Sequence, residues 1–513
     1  MNQEKIKDYL YDCRWCNFKE DIKQGRVQNV SFEKMPYDDG NKLFIIGTAT
    51  IEGKEPKYFS MPLAKKQGMP EDGNAVVMDG NIYVDALREP DFWRTLMAFL
   101  NEHNGKIVFD NGWSLEHLTI GSQVPVMECL EDDSRALGVE QSNTTLNVGQ
   151  GKLAFKLERM LEFSHELNSE IEMNEKLMRE HCTVMPKSFG GLIWRRPDGQ
   201  QASSGIMQEF VTNKGDMWNY LQRYLSERLH TEYMMQRDLT PEGNPEFMKM
   251  IQNLAAKTEE MGECFARADE NPNFTPQKVN ESFIRIYEKQ LQVLAHRVKK
   301  NIEMHLDDLP FETRKNAENL LEHWDKDVKD FVEMRLAQVR QAEDKGTLNR
   351  VHGDFHLGQV MVTPENDLRF IDFAGEPDLP MEQRKQKHLS VRDVAGMYRS
   401  IKGYLGAVAV ENFAAQTEDV LTASARKMWA EKAIKPLIDA AAQTFLGHKT
   451  MSDPWLSLEV LRKNLYEVNY EVGNRPTMAY VPINGLKDLI LGTHERVVAN
   501  ENFQVWHDEA YAI

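Results

Sequence analysis

The chain has 513 residues, of which 41% are hydrophobic and 28% charged. That is a globular composition, too apolar for a mainly disordered chain, and at ordinary domain sizes it fills about two to four compact units. Lys and Arg number 62 against 80 Asp and Glu, a net charge of −18, which argues against nucleic acid or an anionic membrane as the main partner, because clustered cations hold phosphate backbones. The opening MNQEKIKDYLYDCRWCNFKE interleaves charges, and no apolar run reaches the length of a membrane span; a cytoplasmic protein is expected. Cys13, Cys16, Cys129, Cys182 and Cys264 are odd in number and scattered, which is not a disulfide framework. Cys13 and Cys16 make a C-x-x-C without the second pair that a zinc site needs.

The first hundred or so residues read as a mixed, strand-rich unit. Runs at Lys42 to Ile51, Tyr58 to Leu63 and Ala75 to Met78 are bounded by turn signals at Asp39-Gly40, Glu52-Gly53 and Asp72-Gly73. A helix is expected from near Asp91 through FWRTLMAFL, with Phe92, Leu96 and Phe99 on one face. Further strands are expected at Val124 to Leu130, Thr144 to Val148, Lys152 to Leu157 and Gly205 to Val211, with a helix from about Ser164 to Arg179 before the last of them. From about Asp216 to Gly346 the pattern is helical, as in Leu321, Trp324, Val328 and Phe331 set in a charged frame.

LNRVHGDFHLGQVMVTPENDLRFIDF, ending at Phe373, breaks that helical run. It reads as a polar loop, a strand Val360 to Val362, the turn TPEND and a return strand from Leu368 to Phe373. Strand pairing through the turn would bring Asp354 and Gln359 toward Asp372. Two carboxylates and a carboxamide are what phosphoryl transfer asks for: an acceptor for the proton of the attacking hydroxyl, and oxygen ligands for Mg²⁺ on the phosphates. Gln359 follows Asp354 at the spacing of the amide in the kinase pattern H-R-D-x-x-x-x-N, and Asp372-Phe373-Ala374 stands for D-F-G. Leu153-Ala154-Phe155-Lys156 supplies the strand lysine, and Glu170 and Glu172 are candidate ion-pair partners on the following helix. No G-x-G-x-x-G precedes that lysine. The hydroxyl-rich segment from Glu140 to Thr145, with Ser142, Asn143 and Thr144, takes the place of a phosphate-covering loop. A rival reading makes His352, Asp354 and His356 a metal cluster for hydrolysis, but it leaves Gln359, Asp372 and Lys156 unexplained.

HGDFHLGQV, IDFAGEP, SVRDVAGMYRS and NLYEVNYEVGNRP together resemble the bacterial maltokinases of the aminoglycoside-phosphotransferase-like branch of the kinase superfamily. CRWCNFKEDIKQGRVQNV and NIYVDALREPDF resemble that family's N-terminal cap, so the resemblance covers nearly the whole chain. It implies an α+β, bilobal protein-kinase-like fold: a cap over 1–100, a strand-rich lobe on the ATP side over 101–213 and a helical lobe over 214–513. It also implies ATP-dependent phosphorylation of maltose at its anomeric hydroxyl, giving maltose 1-phosphate for α-glucan (glycogen-like) synthesis.

Carried over by motif, Asp354 is the catalytic base, Gln359 and Asp372 hold Mg²⁺, and Lys156 contacts phosphates with Glu172 as its partner. Backbone groups of Gln208, Glu209, Phe210 and Val211 hold adenine. On the acceptor side the resemblance points to His356, Glu376, Arg392, Tyr466, Glu467 and Tyr470. Bracing of the catalytic loop is an equal reading for Arg392 and the stronger one for Asp393, and core packing is the plain reading for the two tyrosines. Ala374 departs from the family's usual acidic or bulkier residue, which bears on sugar choice, and Cys16-Asn17-Phe18-Lys19 departs from its cap. A same-fold kinase of another sugar or of glucosamine is the alternative.

Overall fold

The computed structural model describes residues 3–70, 75–138, 143–376 and 379–490. The chain forms two compact units, one of Met1–Thr212 with Asp372–Arg384, the other of Asn213–Ile371 with Lys385–Ile513. Helix and sheet are mixed, as the α+β expectation required.

The first unit opens with two short helices, α1 (Gln3–Asp12) and α2 (Lys19–Lys23), followed by β1 (Val27–Tyr37), β2 (Lys42–Ile51), β3 (Lys57–Lys66), β4 (Val76–Met78) and β5 (Asn81–Asp85). These strands form one antiparallel sheet in the order β1-β2-β3-β5-β4. The unbroken apolar run of β2 follows from burial on both faces, because successive side chains in a strand point opposite ways. Leu43 and Ile45 enter a cluster with Trp15, Phe18 and Phe59, whereas Phe44 and Ile46 enter a second one with Trp93, Phe155 and Trp194. Helix α3 (Phe92–Glu102) supplies Trp93 to that second core, its indole donating to the Cys129 carbonyl at 2.7 Å.

The second sheet of this unit runs β6 (Lys106–Val108), β7 (Ser114–Thr119), β12 (Ser188–Arg195), β13 (Gln201–Glu209), β10 (Leu153–Glu158), β9 (Asn143–Val148), β8 (Ser134–Ala136), all neighbours antiparallel. The short β11 (Met160–Leu161) joins the other sheet beside β3. Two sequence expectations fail here. Val124 to Leu130 is not a strand: it holds helix α4 (Val124–Glu128), with Pro125 in the first turn, where its missing N–H costs nothing. Helix α5 (Ser169–Arg179) starts later than Ser164 because Asn168 caps it, its side-chain oxygen accepting from the N–H groups of Glu170 at 2.8 Å and Ile171 at 3.3 Å.

The second unit is mainly helical: α6 (Met217–Met235), α7 (Pro245–Ala266), α8 (Glu281–Met304), α9 (Phe311–Gln341), α10 (Val391–Arg399), α11 (Gly406–Ala414), α12 (Val420–Leu446) and α13 (Pro454–Asn474), with a π-helical stretch Ser400–Leu405 joining α10 to α11. Trp324, Phe331 and Leu336 of α9 and Leu458, Leu461 and Leu465 of α13 share its core. The expected hairpin forms, with Val360 opposite Phe370 and Val362 opposite Leu368. Its return strand ends at Phe370 rather than Phe373, since Asp372 adopts a left-handed backbone (φ 68°) and opens the segment that belongs to the first unit.

Phe155 is fully buried with its ring 5.5 Å from that of Trp93. Phe155→Ala is expected to destabilise the first unit by about 3–5 kcal/mol, read as a lower urea midpoint followed by tryptophan fluorescence.

Candidate active site

In the first unit, three segments converge on Lys156. Its ammonium donates to Glu170 Oε1 at 3.1 Å and Oε2 at 3.0 Å, and to Asp372 Oδ1 at 2.7 Å. Burial works against the charge, but the carboxylates of Asp372 and Glu170 outweigh it and hold the lysine above its ordinary range. Glu170 in the first turn of α5 takes the pairing expected of Glu172: the Asn168 cap sets the helix so that Glu170, 2% exposed, meets the strand. Segment 372–376, with Asp372 and the buried Glu376, is tied to this unit by Arg384, which bonds Glu162 and donates to the Ala374 carbonyl at 3.3 Å, and by the Met381 N–H donating to Glu162 at 2.8 Å.

The two-residue period of the sheet decides which groups share the lysine's face. Thr145 stands directly opposite Lys156, and Asn143 opposite Glu158. Thr144 points the other way, is buried, and accepts from Arg159 Nε at 3.3 Å, so it is Thr145, not Thr144, that shares the face of Lys156. Ser142 lies outside the described residues. At the expected adenine segment, the Gln208 side chain donates to Asn174 Oδ1 at 2.9 Å. The N–H groups of Glu209 and Phe210 donate to the carbonyls of Lys187 at 2.8 Å and Lys152 at 3.4 Å, so those two amides serve the sheet, and Val211 directly follows them.

In the second unit, the loop His352 to Gln359 is fixed from behind. Asp393 of α10 accepts from the N–H of His352 at 2.8 Å and of Gly353 at 2.9 Å, the bracing that the sequence suggested for it. Burial pushes its carboxyl up, opposed by His352 and those two backbone donors. Gly396, one helical turn on, is needed because a Cβ there would stand 2.7 Å from the Phe355 carbonyl oxygen. The Leu357 N–H donates to Ser400 Oγ at 3.2 Å. The His352 ring is fully buried, with Nε2 3.0 Å from the Ile371 carbonyl, and among the described residues no three His, Cys, Asp or Glu side chains group as metal ligands. The His352-Asp354-His356 hydrolase cluster therefore does not assemble.

Asp354 remains 21% exposed, with Lys463 of α13 at 3.4 Å from Oδ1 and His356 Nε2 at 4.0 Å from Oδ2. His356 Nδ1 accepts from the Gly358 N–H at 3.0 Å. Sequence reasoning missed Lys463; its signal was a lysine one turn before the Tyr466-Glu467 pair on a helix already singled out. Its ammonium lies 4.9 Å from the Tyr466 ring centroid. Glu467 is spent elsewhere, accepting from Arg399 Nε at 2.9 Å. Tyr470 is 44% exposed, with Arg475 over its ring, so it is not a core residue. Arg392 is buried, one Nη 3.0 Å from His388 Nδ1. Gln359 follows on this loop, its carbonyl accepting from the Ile371 N–H at 3.0 Å.

Glu158 is a second group that the sequence did not single out. Burial, with Glu170 adding to it, pushes its carboxyl up to about 7, opposed by Lys156. Between the ordinary carboxylate range and about pH 7 the folded protein holds a proton that the unfolded chain has released, so stability falls as pH rises through that window and is level above it. Glu158→Gln is expected to remove that slope, roughly 1–3 kcal/mol, in denaturation midpoints compared from about pH 5 to pH 8.

No family model matches the chain. A glucosamine kinase of Streptacidiphilus jiangxiensis is 32% identical over 143 residues, a stretch that covers 27% of this chain and 31% of that relative; the match thus spans under a third of the relative's length. Over nearly the full length the likeness is structural. A glucosamine kinase solved with glucosamine, ADP and inorganic phosphate superposes with a TM-score of 0.55 at 18% identity, covering 90% of this chain and 94% of that one. A second crystal form of glucosamine kinase gives 0.56 at 18%, covering 91% and 95%. The two units of this chain have the kinase-like fold of those structures.

Proposed function

We propose that the chain is an ATP- and Mg²⁺-dependent sugar kinase, with maltose phosphorylated at its anomeric hydroxyl to maltose 1-phosphate as the specific reaction. The observation that carries the kinase reading is Lys156 held between Glu170 and Asp372, the lysine, helix glutamate and metal-loop aspartate of a phosphoryl-transfer enzyme, each on the element that the motif order requires. The fold shared with glucosamine kinase structures supports it. The division into a cap (1–100), a nucleotide lobe (101–213) and an acceptor lobe (214–513) belongs to the same proposal.

Lys156 neutralises phosphate charge, with Asn143 and Thr145 on its strand face as added hydrogen-bond partners. Backbone groups of the segment Gln208 to Val211 hold adenine. Asp354 on its braced loop accepts the proton of the attacking hydroxyl, and His356 and Tyr466 orient the sugar. Gln359 and Asp372 fit Mg²⁺, since a carboxamide and a carboxylate are hard oxygen donors and the Asp372 side chain is 39% exposed. When bound, the ion neutralises charge on the transferring phosphoryl group.

Two observations divide the sugar readings. The local 32% identity to a glucosamine kinase supports glucosamine as a second reading. Lys463 beside Asp354 supports an uncharged acceptor such as maltose, because an ammonium on the sugar near the reacting hydroxyl would meet a like charge. Incubating the protein with ATP, Mg²⁺ and maltose, glucose or glucosamine separates them: ADP release with maltose is expected, and release with glucosamine alone would shift the assignment to the second reading. Asp354→Asn is expected to lower kcat by about 10²–10⁴-fold while ATP binding, measured calorimetrically, is retained. Full turnover in that variant would remove Asp354 from the mechanism.

A further inference from the structure

A separate cavity of about 630 Å³ opens in the second unit, walled by α9, α10, the π-helical stretch, α13 and residues 480–489. Its described lining sets three cationic side chains, Arg335, Arg399 and Lys402, against one carboxylate, Asp488. Arg399 and Lys402 are balanced by Glu467 and Asp439. Arg335 is not. It is 7% exposed, its Nη atoms donate to the carbonyl oxygens of Ser452 at 3.4 Å and Met451 at 3.1 Å and to Gln338 Oε1 at 3.2 Å, and among the described residues its Nε has no hydrogen-bond partner and no carboxylate is within ion-pair distance, Asp453 acting on it only from further off. A buried guanidinium without a direct ion pair is costly, and an anion in contact with it offsets that cost.

Asn464 makes a second, independent observation. It is 1% exposed and lines the same cavity, and among the described residues neither its side-chain oxygen nor its nitrogen has a hydrogen-bond partner. Such an orphaned amide marks the place of a polar occupant. Gly485 keeps this corner open, since a Cβ there would stand 2.5 Å from Arg399 Nη1 and 3.0 Å from Asn464 Oδ1. We propose that this cavity is a second ligand site, distinct from the acceptor site at Asp354, that takes the phosphate group of a small polar metabolite, with Arg335 as its charge partner and Asn464 as donor and acceptor. The volume falls within the range of whole small-molecule sites (about 300–1,000 Å³), more than a bare phosphate fills, and Tyr398 and Tyr480 in the wall suit the faces of a sugar ring. The preferred occupant is therefore a phosphorylated sugar.

The site is linked to the catalytic loop twice: Ser400, the first residue of the π-helical stretch, holds the Leu357 N–H, and Lys463 beside Asn464 reaches Asp354. π-helical insertions recur at functional sites.

The test uses the full chain without nucleotide and titrates glucose 1-phosphate, inorganic phosphate and glucose by calorimetry. Glucose 1-phosphate should bind, Arg335→Met should weaken it about 10–100-fold, and Asp354→Asn should leave it unchanged. Tighter binding of the sugar phosphate than of phosphate identifies the sugar ester as the source of the anion. Equal binding identifies free phosphate, and either result supports the site if it depends on Arg335. Binding lost in Asp354→Asn but kept in Arg335→Met would place the ligand at the acceptor site and overturn the proposal, as would no heat with either anion. Because Arg335→Met also loses two backbone contacts and the bond to Gln338, hydrogen exchange on the unaltered chain gives a second reading. Glucose 1-phosphate should slow exchange across residues 400–405, and no slowing there overturns the proposal.

Discussion

Lys156 and the carboxylates around it set the terms for the first unit. A lysine in a sheet interior keeps its charge only if anions come to it, and here they come from a helix, through Glu170, and from a distant segment, through Asp372. Buried ion pairs add little net stability compared with apolar packing of the same volume. The cap on α5, the left-handed backbone at Asp372 and the anchorage of Arg384 on Glu162 all hold this cluster together, an outlay more readily explained by chemistry than by folding. Glu158 adds a third carboxyl to the neighbourhood, and its raised titration comes first from burial and then from the nearby Glu170, with Lys156 opposing both.

The second unit solves a similar problem with the signs changed. Its loop presents the partly exposed carboxylate of Asp354, the buried Asp393 pins the backbone just before it, and Gly396 lets the supporting helix come into contact. Helix α13 then presents different residues for different work: Lys463 at the loop carboxylate, Glu467 at Arg399 and Asn464 at the basic cavity.

Much of this was legible in the amino-acid order because phosphoryl transfer needs particular residue types at fixed spacing along short segments. The H-G-D loop, the hairpin after it and the strand lysine are local patterns, and they form as read except that the return strand stops at Phe370. The failures occur where a half-turn or a single residue decides. Glu170 and Glu172 differ by a little more than a helical half-turn, and the position of the Asn168 cap chooses between them. Thr144 and Thr145 differ by one strand position, which reverses the face. Val124 to Leu130 has the β-branched, apolar look of a strand, but Pro125 suits a helix start better than a ladder. Lys463 was hidden because its partner lies 109 residues away, a separation that no local pattern reports.

The first unit is not one continuous stretch of chain: Asp372–Arg384 completes it after more than a hundred residues assigned to the other unit. The gene for its strand-rich portion therefore could not be moved as a cassette. A fragment ending at Thr212 would carry Lys156 and Glu170 but leave Asp372 behind, and with it half of the counter-charge that the lysine was built to meet. Shuffling or splitting this chain at its apparent midpoint would separate the parts of a single ionic cluster, so the two units are bound to be inherited, and altered, together.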